Sequence, residues 1–184
     1  MITLEPCRKE HLKELKALYM TAFPKEERAP WWLMKLRANQ GRADSLAATV
    51  DGEFAGMAYV VTRDDMAYLF YLAVEQNIRG KGTGSAILKA LGERYAGKRI
   101  FLSREQLDSS APNYAQRESR HRFYLSNGLS DWGIQIKEGP MIYDVMGTGD
   151  KVVTAAEYDA LMRSWVGRMP KRLFNAYVIE LGTI

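Results

Sequence analysis

Three glycines at alternate positions, Gly80, Gly82 and Gly84, are interleaved with Lys81 and Thr83 and preceded by Arg79. They follow an apolar run, LFYLAV, and open a stretch with helical periodicity. A turn of this composition lets successive backbone N–H groups converge with few side chains in the way, at the positive end of the helix that follows. The chemistry it suits is the holding of an anion, phosphate first. Short glycine runs also make ordinary turns, so the spacing decides which phosphate loops remain. A dinucleotide fingerprint needs G-x-G-x-x-G and an acid about twenty residues on, which Gly80-Lys81-Gly82-Thr83-Gly84 does not match. A nucleotide-hydrolysing loop needs Lys directly before Ser or Thr, whereas Lys81 precedes Gly82, so nucleotide hydrolysis is disfavoured.

The loop resembles the Arg-x-x-Gly-x-Gly/Ala signature of the GNAT superfamily of N-acetyltransferases, carried by Arg79, Gly82 and Gly84. A second stretch is similar to the same family. Residues 113–129, NYAQRESRHRFYLSNGL, supply Asn113, Phe123, Tyr124, Gly128 and Leu129, matching a helix that ends in Phe-Tyr before a Gly-hydrophobic pair. Leu129 stands where the family usually has Phe or Tyr and keeps the packing role. Agreement is closest from Ala67 to Leu129, the family's element order is traceable from Met1 to about Met146, and residues 147–184 resemble an appended helix and strand. The resemblance implies an α/β fold in a single domain over 1–184, with a mixed, strongly twisted sheet flanked by helices. It also implies a splayed central strand pair carrying Leu72 and Phe101, and a C-terminal helix-strand extension.

What the resemblance implies for chemistry is specific to position. Acetyl-CoA is the cosubstrate, with its pyrophosphate on the amides of Arg79, Gly80, Lys81, Gly82, Thr83, Gly84 and Ser85. The backbone of Leu72, Ala73 and Val74 aligns the pantetheine arm and polarises the acetyl carbonyl, with Asn113 near the cofactor. Tyr124 is the general acid that protonates the departing thiolate. Taken by themselves, the Leu72 and Val74 side chains belong to a core, Arg79 and Lys81 are solvated charges, Asn113 is a cap or surface amide, and Tyr124 is a packed aromatic.

An ammonium has no lone pair for attack, so an amine acceptor must first lose a proton, directly or through water. Glu105, expected just beyond a strand at 99–103, is the first candidate base, and Glu27 in PKEER is the second. Either is equally suited to be a surface acid or to recognise a cationic amine. His11 and His121 make no convincing catalytic pair, and Cys7 has no nucleophilic triad. The expected reaction is therefore acetyl transfer to a primary amine, of a small molecule or a protein, through a ternary complex. The alternatives are a noncatalytic acyl-CoA-binding regulatory or interaction module and, less favoured, an RNA-associated protein, for which no aromatic-basic motif is present.

Composition bounds the rest. With 184 residues, 47% of them hydrophobic, the chain is long enough for one sizeable core. The formal net charge of +4 is dispersed, which suits an anionic cofactor and predicts no nucleic-acid partner. One cysteine excludes an intrachain disulfide, and without Cys/His clusters at ligand spacing no metal is expected. The N-terminus lacks the pattern of a signal peptide and no run of 18 apolar residues occurs, so a cytoplasmic protein without a membrane partner is expected, and a homo-oligomer stays open.

The elements that must position these residues follow from periodicity and turns. A short edge strand is expected at Met1–Leu4, then a helix near Lys9–Ala22 with Leu12, Leu15, Leu18, Tyr19 and Ala22 on one face, and a shorter one over Ala29–Leu36. These two helices are expected to frame the substrate cleft. Trp31-Trp32 suit a substrate lid, an interaction surface or the core. Asp51-Gly52 marks a hairpin within 44–63, and a strand covers 67–74. A helix beginning at Gly84 carries Ile87, Leu88, Leu91 and Tyr95, Pro112 opens the next helix, and strands are expected around 134–137 and 141–146. Thr154 and Glu157 form a capping-box pattern before Tyr158, Leu161, Met162 and Trp165, and a last strand is expected over 175–181.

Overall fold

The computed structural model describes residues 2–138, 141–167 and 176–180, the last for their backbone only. The fold is mixed α/β, with an open, twisted sheet flanked by helices. The chain forms two compact units, Met1–Thr62 with Ala67–Gly97, and Arg63–Met66 with Lys98–Ile184.

The first unit is built on strands β1 (Ile2–Pro6), β2 (Asp44–Val50), β3 (Glu53–Arg63) and β4 (Met66–Val74), hydrogen-bonded in that order, with residues 63–66 at the β3–β4 turn counted in the second unit. Its helices are α1 (Leu12–Ala22), α2 (Trp31–Asn39) and α3 (Thr83–Arg94). Pro6, which lacks an N–H, is tolerated because β1 is an edge strand. Asp51 and Gly52 both take positive φ, 52° and 88°, so a two-residue turn closes the β2–β3 hairpin as the sequence predicts. Residues 55–61 of β3 are all buried, the pattern of a strand covered on both faces. Leu15, Leu18 and Tyr19 are the buried stripe of α1, while Ile87, Leu88 and Leu91 are that of α3. A Cβ at Gly56 would come within 2.6 Å of the Ala73 carbonyl on β4 and 3.2 Å of Ile87 on α3.

The second unit contains β5 (Arg99–Glu105), α4 (Tyr114–Ser126), β6 (Ser130–Glu138), β7 (Met141–Gly147), α5 (Ala155–Val166) and β8 (Ala176–Glu180). Its strand order is β5-β7-β6-β8, with every neighbouring pair antiparallel. The strand expected at 99–103 continues to Glu105, which pairs with Tyr143. Glu105 is thus the last residue of β5 and not part of the loop beyond, a correction that changes its surroundings. The capping box at Thr154 and Glu157 is present, and Tyr158, Leu161, Met162 and Trp165 are buried along one face of α5. The final strand is β8, added to the edge of β6 with α5 against it; residues 175 and 181, like Met1 of the first expected strand, lie outside the described residues.

A buried arginine fastens α5 to this unit. Arg99 Nη2 meets Asp65 Oδ1 at 2.6 Å and Glu157 Oε1 at 2.7 Å, and Lys151 adds a contact to Asp65 at 3.0 Å. The Arg99 guanidinium, followed by the Thr154 amide, draws the Glu157 carboxyl down from 4.5 to about 2.

Candidate active site

In the first unit, β4 runs directly into the glycine turn. Arg79 Nε donates to the Val74 carbonyl at 3.0 Å, tying the turn to the end of the strand. Gly80 and Gly82 have φ of +76° and +80°, a left-handed geometry that costs an L side chain about 1–2 kcal/mol. A Cβ at either would meet nothing within 4 Å, so backbone conformation, more than lack of room, is what requires glycine here. Gly82 is the N-cap residue of α3, no side chain caps that end, and the first amide to bond back is that of Ala86, to the Gly82 carbonyl at 3.0 Å. The N–H groups of Thr83, Gly84 and Ser85 belong to the first turn and have no intrahelical acceptor. They stand at the positive end of α3 and fit an anionic diphosphate. Gly80 and Lys81 are exposed. Along β4, Tyr71 and Ala73 are buried while Phe70, Leu72 and Val74 are half-buried, so one face of the strand end is only partly covered.

Glu27 belongs to the same unit, in the 3-10 turn Lys25–Glu27 between α1 and α2. Sequence reasoning missed what holds it. The Tyr71 hydroxyl donates to the Glu27 carbonyl at 2.8 Å and accepts from the Ala29 N–H at 2.8 Å, while the Tyr19 hydroxyl donates to the Ala29 carbonyl at 2.8 Å. The two rings meet edge to face with centroids 5.0 Å apart, and Phe23 packs edge-on against Tyr71 at 4.8 Å. Burial pushes the Tyr19 phenol up to about 12. This latch links the segment bearing Glu27 to the strand residue next to Leu72. Trp31 packs on Tyr19 at 5.8 Å, and Trp32 is 60% exposed, so the tryptophan pair divides between core and surface.

The second unit holds Glu105, Asn113 and Tyr124. Both carboxylate oxygens of Glu105 are engaged. Oε1 accepts from Asn113 Nδ2 at 3.0 Å and pairs with Arg117 Nη2 at 3.1 Å, and Oε2 pairs with Arg120. Asn113 occupies the N-cap position of α4, but its side chain does not cap the helix; its Oδ1 accepts from Arg117 Nε at 2.8 Å. Tyr124 is half-buried and its hydroxyl has no hydrogen-bond partner among the described residues. Desolvation pushes its phenol above the ordinary value, against the pull of the Arg120 charge. The spacing of Asn113, Arg117, Arg120 and Tyr124 along one helix face is a signal that could have found this cluster, although Arg117 and Arg120 were not singled out from the sequence. Each histidine has its own carboxylate partner: His11 Nδ1 meets Glu14 at 2.9 Å, and His121 Nε2 meets Asp131 at 2.7 Å. Among the described residues, no group of three or more His, Cys, Asp or Glu is placed to hold a metal ion, and no helix is long and apolar enough to cross a membrane.

A glycine turn at a helix N-terminus, after a buried strand of an open α/β sheet, is a place for an anionic cofactor, and the sequence comparison gives the family. Residues 12–125 match the model of the acetyltransferase (GNAT) family, and the chain belongs to that family. Solved structures share the fold. A Bacteroides thetaiotaomicron protein assigned to the GNAT family is 20% identical, with a TM-score of 0.72 over 91% of this chain and 99% of its own. The ribosomal-protein-S18-alanine N-acetyltransferase of Escherichia coli is 20% identical, with a TM-score of 0.58 over 84% of this chain and 97% of its own. An aminoglycoside 6'-N-acetyltransferase complexed with coenzyme A is 16% identical, with a TM-score of 0.62 over 83% of this chain and 99% of its own. No curated protein matches the sequence. GNAT-type acyl transfer dependent on acetyl-CoA is accordingly the general activity of the class to which this chain belongs.

Proposed function

We propose that the chain transfers an acetyl group from acetyl-CoA to a primary amine of a small molecule or a protein within a ternary complex. The observation that carries this reading is the left-handed Gly80 and Gly82 pair ahead of the uncapped N-terminus of α3. When bound, acetyl-CoA supplies an electrophilic thioester carbonyl and a thiolate leaving group. The amides from Gly80 to Ser85 hold its diphosphate, with Arg79, whose N–H is bonded to the Gln76 carbonyl at 3.4 Å, shaping the turn, and the backbone of Leu72, Ala73 and Val74 aligns the arm and donates toward the carbonyl oxygen. Donors fixed before charge develops stabilise it most. Asn113, whose amide is engaged at both ends by Glu105 and Arg117, contributes through its place at the start of α4.

Tyr124 gives its proton to the departing sulfur, a role supported by a phenol that is protonated at neutral pH and that desolvation raises further. For the base, the partners of Glu105 weigh against it, which leaves Glu27 as the candidate. Taking a proton at Glu105 would weaken two ion pairs and a hydrogen bond, a cost a base in repeated turnover does not need. Glu27 is half-buried in a segment latched to β4 through Tyr71, and accepts the amine proton directly or through water.

Isothermal titration of the full chain with acetyl-CoA, followed by mass analysis of products across small amines and peptides with free N-termini, tests the proposal. Saturable binding and a product heavier by one acetyl group are expected. Binding with no product from any amine would leave the noncatalytic acyl-CoA module as the reading, and a folded protein that does not bind acetyl-CoA would remove both.

A further inference from the structure

Helix α4 contains no fully buried residue, so its apolar docking is slight for a helix of 13 residues. Its visible attachments to neighbouring strands are charged. Glu105 at the end of β5 takes Arg117 and Arg120, and Asp131 on β6 takes His121. Arg117 is satisfied on several sides, with Glu105, the Asn113 amide oxygen and the Gln106 carbonyl at 2.9 Å. Arg120 has Glu105 as its carboxylate partner. Asn113, Arg117, Arg120 and Tyr124 follow one another at spacings of four, three and four residues, which puts all of them on one helix face.

We propose that Glu105 is a positioning residue, which anchors the Tyr124-bearing face of α4 through Arg117 and Arg120 and neutralises the guanidinium that lies one helical turn from the Tyr124 phenol. The inference rests on the acid role proposed for Tyr124 and gives Glu105 a function different from that of a base. The electrostatics have a definite sign. Among the charged groups around α4, Arg104 on β5 pairs with Asp131 on β6 at 2.9 Å and Asp144 on β7 at 3.1 Å, and His121 completes that set through Asp131. Glu118 and Arg122 pair with each other on the outer side of α4, at 3.3 Å. On the Tyr124 face of α4, Arg117 and Arg120 both pair with Glu105, and Arg120 is the charge that pulls the phenol down. Removing the Glu105 charge releases the full positive potential of Arg120 and favours tyrosinate. Removing Arg120 does the opposite.

Tyrosine ionisation followed by NMR of the ring Cζ in the full chain tests this, with the Tyr124 signal assigned by its loss in Tyr124→Phe. Glu105→Gln should lower the Tyr124 pKa by about one unit and Arg120→Gln should raise it by a similar amount, with the double variant between them. The basic limb of the pH–kcat profile should move with each. A general loosening of α4 would shift both single variants the same way, and that result overturns the proposal, as does an unmoved Tyr124 in both. Loss of the acidic limb in Glu105→Gln, with Tyr124 unmoved, would return Glu105 to the role of base. If Glu105→Gln fails to fold, Arg120→Gln, at a side chain that is 44% exposed, still reads the sign. Opposite pKa shifts alongside unchanged Tyr124→Phe turnover would uphold the electrostatic arrangement and remove the acid assignment instead.

Discussion

Tyr124 and Glu27 are the side chains on which the proposed chemistry turns, and each has a near-isosteric test. Tyr124→Phe keeps the ring and removes the proton donor, so kcat should fall on the order of 10²-fold while acetyl-CoA affinity by titration changes little. Turnover unchanged across pH, with single-turnover kinetics confirming that product release is not limiting, would exclude the phenol as the acid. Glu27→Gln keeps the shape and removes the carboxylate. Its kcat should drop and the acidic limb of the profile should disappear; a rise confined to the amine KM would make Glu27 a recognition group.

Two local structures of the first unit, the glycine turn and the tyrosine latch, have different failure modes. Replacing Gly82, at φ +80°, with Ala should cost about 1 kcal/mol of stability and weaken acetyl-CoA binding. Gly97, at φ +83° just after α3, supplies the control: Gly97→Ala carries the same strain and should leave binding alone. Equal losses of affinity in the two variants would attribute the effect to strain and not to the diphosphate cradle. The tyrosine latch is tested by Tyr71→Phe. The Ala29 N–H loses its buried acceptor, a cost of about 1–3 kcal/mol by denaturant titration, and the segment bearing Glu27 loosens. The amine KM should rise with acetyl-CoA affinity preserved, and a variant with wild-type KM would show that the latch serves stability alone.

Across the molecule, pH acts through the carboxylates that arginine holds charged. Glu157 titrates at about 2 in the folded chain against 4.5 as the ordinary value, and Asp65 is also drawn well below the ordinary carboxylate range, first by Arg99 and then by Lys151. A depressed folded pKa contributes stability that is fully present above the unfolded value and is lost as the pH falls through the folded one. The melting temperature should therefore decline from about pH 4.5 toward pH 2, as these two acids protonate. Arg99→Met should lower the melting temperature at neutral pH and flatten that decline. A wild-type slope retained in the variant would place the acid sensitivity elsewhere in the protein.

What the sequence determined by itself was whatever a few neighbouring residues decide. The left-handed turn at Asp51-Gly52, the glycine turn before α3, the Thr154–Glu157 capping box and the buried stripe of α5 each depend on residues within one or two helical turns, and each formed as expected. The family resemblance extended that legibility to the order of elements. The tertiary structure decided which groups meet. Glu105 looked available as a base because its partners, Asn113 and Arg120, lie 8 and 15 positions away and are reached only when α4 docks on the end of β5. The Tyr71 hydroxyl meets the Glu27 carbonyl across 44 residues, and β8 finds β6 through a connection from which no register can be deduced. A carboxylate's chemistry depends on what its oxygens already hold, and that is a property of distances in space, which spacing along the chain does not encode.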